Sequence, residues 1–131
     1  MKTLVIVLCS IGGLIAVIGI LMIIFNLGMG EIRKLVISSV DLSKVADGVY
    51  PGTYHKGRWT YDLQVTVKDH RITGIKNTNK RMEMFKDLNG KAEAEIIKKQ
   101  SPVIDIVSGA TITTRAYQKA VENALDSAVK K

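Results

Sequence analysis

Cysteine is almost absent from this 131-residue chain, with Cys9 alone. A single thiol makes no intramolecular disulfide and no cysteine metal site. Too few apolar residues precede it for a lipoprotein reading, so Cys9 reads as a small lipid-facing or packing residue. Histidine is scarce too. His55 and His70 lack ligand spacing, so no metal site is expected. Aromatic residues make up 5% of the chain. Trp59, Tyr50, Tyr54 and Tyr61 fall in the region read below as sheet, where core packing is their expected role. Internal repeats and low-complexity tracts are absent.

Charge is missing from one long stretch. Residues 4–27 (LVIVLCSIGGLIAVIGILMIIFNL) carry none, while the whole chain carries a net +7. About 20 apolar residues cross a hydrocarbon core of roughly 30 Å. A small domain has no interior that encloses a helix apolar on every side, so a buried core helix is excluded. A cleaved signal peptide is the stronger competitor. The run exceeds the usual apolar region of such peptides and no Ala-x-Ala-like site follows it, so an uncleaved anchor is expected. Lys2 on one side and Arg33 and Lys34 on the other give only a slight charge lean toward a cytoplasmic C-terminus.

Three regions follow: an anchor over 1–30, a connector over 31–46 and a domain over 47–131. In the connector Ile32, Leu35, Val36 and Val40 fall at roughly helical spacing, which suits a short amphipathic helix at the membrane or a plain spacer. In the domain, Asp47–Tyr54 reads as a short extended piece between turns. Trp59, Tyr61, Leu63, Val65 and Val67 alternate with Thr60, Asp62, Gln64 and Thr66, the pattern of a half-buried antiparallel strand. A turn at 68–71 and a return strand over 72–78 complete a hairpin. A helix is expected over 91–100, bracketed by Gly90 and Pro102, and a short strand over 103–107. The last segment places Tyr117, Ala120, Val121, Ala124, Leu125 and Ala128 on one helical face, with Thr113 or Thr114 as its cap and Lys130 and Lys131 at its end. The expected fold class is α+β, a small, mainly antiparallel sheet with helices packed on it, preceded by one transmembrane helix.

A strand running into a tight loop of small residues that opens a helix presents unpaired N–H groups and binds anions, phosphate above all. Gly109 and Ala110 let a ligand approach the backbone, and Ser108, Thr111, Thr113 and Thr114 crowd hydroxyls into the same place. An ordinary capped strand-to-helix turn has the same composition. The basic pairs Lys80-Arg81 and Lys98-Lys99 are interleaved with Glu83, Asp87, Glu93 and Glu95, so a solvated surface is expected rather than nucleic-acid binding.

The run Asp105-Ile106-Val107-Ser108-Gly109-Ala110-Thr111 resembles, without departure, the Asp-x-x-Ser/Thr-Gly-Ala-Thr flavinylation motif of the FMN-binding domain family. That family includes domains of the sodium-translocating NADH:quinone reductase and Rnf complexes and of extracellular electron-transfer proteins. The resemblance spans roughly residues 47–127, with Asp47-Gly48-Val49-Tyr50 at its start and Gln100-Ser101 ahead of the motif. It implies FMN held covalently through a phosphoester to Thr111, with Ser108, Gly109, Ala110, Thr113 and Thr114 around it. It also implies a separate flavin transferase that uses FAD and Mg²⁺ and reads Asp105, and redox partner proteins or quinone. By the same resemblance the domain is expected outside the cytoplasm, as an electron carrier rather than an enzyme. The alternative class is a non-redox membrane-tethered sensor, adaptor or assembly module.

Overall fold

The structure, a computed structural model, describes residues 1–26, 29–105 and 111–129. Helix α1 (Lys2–Asn26) is apolar all round and buries none of its residues against the rest of the protein. It is long and apolar enough to cross a membrane.

The short helix α2 (Met29–Arg33) ends at once, so of the two readings of the connector, amphipathic helix or plain spacer, the helix does not form. Residues 35–41 instead run without regular structure as a strap along the last helix, α4 (Thr111–Val129). Side chains of α4 hold the strap by its backbone. Arg115 Nη1 donates to the Leu35 carbonyl at 2.8 Å, and the Ser38 N–H donates to Glu122 Oε2 at 3.3 Å. These bonds replace the internal ones that a helix would have made. Ile32 and Val45, at the two ends of the strap, are fully buried.

Strands β1 (Gly48–Lys56), β2 (Trp59–Lys68) and β3 (Arg71–Asn77) form an antiparallel sheet in sequence order. The extended piece at the start of the domain is thus a full edge strand, and Pro51 is tolerated there because an edge leaves one side of the ladder unpaired. Gly57 has φ +57° in the two-residue turn joining β1 to β2. The β2–β3 turn takes Asp69 and His70 through positive φ (52° and 60°), and tertiary bonds support both. The Asp69 N–H donates to Asp47 Oδ1 at 2.8 Å, and His70 Nδ1 lies 3.1 Å from the carbonyls of Leu42 and Val45.

The alternation of β2 appears as expected. Trp59, Tyr61, Leu63, Val65 and Val67 are all buried. Helix α4 lies across β1 and β2, placing Tyr117, Ala120, Val121, Ala124, Leu125 and Ala128 on them. Tyr61 and Tyr117 meet edge to face at 5.4 Å between centroids. At Gly52 the helix backbone rests directly on the strand. A Cβ there would stand 2.2 Å from the Ala120 carbonyl oxygen and 2.5 Å from Ala124 Cβ.

Two boundaries differ from expectation. Helix α3 (Lys86–Lys99) starts well before residue 91 and passes through Gly90, which is exposed. Its start is fixed from inside the protein by Asn89, which is buried and bonded to Tyr61 and Met82. The expected strand over 103–107 is not formed at Val103, Ile104 or Asp105, while Ile106 and Val107 lie outside the described residues. Gln118 supplies what a neighbouring strand would have, donating from Nε2 to the carbonyls of Pro102 (3.0 Å) and Ile104 (3.2 Å). Gln100 does the same on β3, accepting from the Ile72 N–H at 2.6 Å and donating to its carbonyl at 3.0 Å.

Candidate functional site

The site is built around the start of α4. Thr111 is the first residue of this 19-residue helix and is exposed. A helix of that length leaves its first N–H groups without internal partners and carries a partial positive charge at that end. Thr113 and Thr114 do not cap it. They are the third and fourth helical residues and are buried, because the helix begins earlier than its apolar stripe suggested. Ser108, Gly109 and Ala110 lie outside the described residues, as do Lys130 and Lys131.

Asp105 ends the preceding segment. Its side chain is fully exposed and pairs with Lys99 at 3.4 Å. Among the described residues its carboxylate accepts no backbone hydrogen bond. An acid so presented is open to a second protein, whereas a purely structural aspartate would be turned inward.

Arg115, which the sequence did not single out, stands one helical turn beyond Thr111 on the same face. Its Nη1 is used on the strap, but its buried Nε has no partner among the described residues. A guanidinium at a helix start suits a singly charged phosphate diester. Gln118 Oε1 is likewise buried without a partner among the described residues. Both side chains line a cleft of about 460 Å³ with Leu35, Ile104 and Asp105. Nothing in the sequence announces this, because it depends on the strap crossing α4.

On the other side of α4 a cleft of about 530 Å³ is lined by Arg58, Trp59, Arg81, Met82, Met84, Phe85 and Thr113. Its volume falls in the range of small-molecule sites, roughly 300–1,000 Å³. Aromatic and sulfur-bearing side chains suit a flat heteroaromatic ring, and two arginines suit a ring that gains negative charge. Thr113, two residues after Thr111, lines this cleft, while Arg115, on the face of Thr111, lines the other. The aromatic residues divide here. Tyr61 is core, as expected, while Trp59 is buried and also borders the cleft. Among the described residues no group of three His, Cys, Asp or Glu side chains could hold a metal ion. His55 is bonded to Asp62 at 2.8 Å.

The FMN-binding domain family matches residues 57–126, more than half of the chain, and the chain belongs to that family. Its matched region runs from the Gly57 turn through the residues of the cleft and Thr111 to Asp126 in α4. The crystal structure of the CPE2226 protein from Clostridium perfringens is similar in fold, with a TM-score of 0.51 and 24% identity over 66% of this chain and 90% of that one. No curated protein matches the chain.

Proposed function

We propose that this protein is a membrane-anchored electron carrier that holds FMN through a phosphoester on Thr111. The observation that carries the reading is Thr111 itself, the exposed first residue of α4 at the end of the complete run Asp105–Thr111, with Arg115 one turn on. FMN, when bound, supplies reversible acceptance of one or two electrons. The helix start and Arg115 would hold the phosphate, and the cleft of Trp59, Met82 and Phe85 would receive the ring, with Arg58 and Arg81 favouring added charge there. Tethering fits a domain outside the cytoplasm, where released cofactor would be lost.

Attachment needs a second protein, because a threonine hydroxyl is a weak nucleophile without a base. A transferase using FAD and Mg²⁺ supplies it. Thr111 Oγ bonds to the FMN phosphorus while the bond from that phosphorus to the AMP oxygen breaks. AMP leaves, the hydroxyl proton passes to the transferase or solvent, and no electron moves. Asp105, exposed beside the site, is the feature that this partner reads.

Intact-mass measurement of denatured protein, made in a host with the transferase, tests the reading. One FMN is expected on the chain and none on Thr111→Val. Flavin retained on denatured Thr111→Val would place the bond elsewhere, and an unloaded native chain would remove the carrier reading.

A further inference from the structure

Arg58, in the turn between β1 and β2, lies with its guanidinium carbon 3.9 Å above the Phe25 ring centroid and 4.6 Å from that of Trp59. Phe25 belongs to the last turn of α1. The uncharged run from Leu4 to Phe25 spans about 33 Å as a helix, close to the hydrocarbon thickness of about 30 Å. With α1 across a bilayer, Phe25 therefore lies at the boundary between acyl chains and headgroups. A guanidinium resting on its ring lies at the level of the lipid phosphates.

Neither ring supplies an oxygen acceptor for the edge of the guanidinium. Among the described residues Arg58 has no carboxylate partner. The edge carries N–H donors in the fork that matches a phosphate. Arg33 and Lys34 follow at the end of α2, and Glu31 of that helix is paired with Lys56 of the same hairpin.

We propose that the β1–β2 turn is an anionic-lipid contact, with Arg58 receiving a headgroup phosphate of the bilayer that α1 crosses and so pressing the domain onto its own membrane. This rests on the anchor reading above and is independent of flavin attachment. It brings the cleft lined by Arg58 and Trp59 to headgroup level.

Trp59 is the only tryptophan, which makes the contact measurable. The full chain, made without transferase and so free of flavin, is reconstituted in vesicles of phosphatidylcholine with or without phosphatidylglycerol. Both carry a trace of lipid spin-labelled on the headgroup. Quenching of Trp59 should be stronger with phosphatidylglycerol. Arg58→Glu should shift the docked–undocked balance by at least about fivefold, matching about 1 kcal/mol per surface cation, while Arg58→Lys retains part of the effect. Equal quenching of the unmodified chain in both vesicle types would overturn the docking and leave the anchor standing. Release of the unmodified chain by an alkaline carbonate wash would overturn the anchor, and the docking with it.

Discussion

Tyr61 donates its hydroxyl to Asn89 Oδ1 at 2.8 Å, and that bond fixes the start of α3 to the central strand. Asn89 in turn donates to the Met82 carbonyl at 3.3 Å, tying down the turn that carries Arg81, Met82 and Phe85. Tyr61→Phe leaves a buried acceptor unsatisfied and should cost about 1–3 kcal/mol. Denaturant titration should show a lower midpoint with an unchanged slope. Burial holds the Tyr61 phenol well above its ordinary value, so its absorbance should not titrate with that of exposed tyrosines in the folded protein.

Asp105 makes a sharper test of the transferase than of the fold. Its exposed carboxylate contacts only Lys99 among the described residues. Asp105→Ala should change stability by less than about 0.5 kcal/mol. It should also lose most of its FMN by intact mass. Full loading of that variant would free Asp105 of any role in recognition.

Acid should loosen the sheet at one identifiable place. The bond from His55, reinforced by one from Asn79, holds the Asp62 carboxyl below the usual carboxylate range, against the opposing effect of burial. The unfolded chain therefore binds this proton at higher pH than the folded one. The stabilisation is complete above the ordinary value of about 3.9 and is lost as pH falls through the lowered folded value. Melting temperature against pH should drop across that window, and less so in Asp62→Asn. Asp41, lowered by its bonds to Ser43, contributes in the same direction and should remain in that variant.

A carrier should exchange electrons readily but process no substrate alone. The loaded protein should be reduced by dithionite or a partner reductase and reoxidised by quinone analogues, with only slow reduction by NADH. Stopped-flow absorbance of the flavin band reads both phases. Fast, saturable reduction by NADH without a partner would make the protein a dehydrogenase. Arg81→Gln should lower the midpoint potential by on the order of 30 mV, equivalent to about 1.4 kcal/mol over two electrons.

Strand β2 and the buried face of α4 could be read from the sequence because each has one wet face, which stamps its period on the residues. Where a side chain replaces a regular partner, the pattern misleads. The apolar residues Val103 and Ile104 look like strand, yet Gln118 takes the place of the neighbouring strand. Gly90 looks like a boundary, yet its cost of about 1 kcal/mol within α3 is outweighed by the anchoring of Asn89 beside it. Arg115 and the cleft of Arg58, Trp59 and Phe85 carry no local signal at all. They exist only because residues far apart in the chain converge on the start of α4.

The bare contact of Gly52 with Ala120 and Ala124 also sets the aim of the site. Thr111 lies nine residues before Ala120, about 13 Å along the helix. The glycine is a fulcrum and α4 a lever. A methyl group at position 52 would lift the helix at its middle and displace the threonine at its tip. The position of Thr111 is thus set by an atom that β1 does not have.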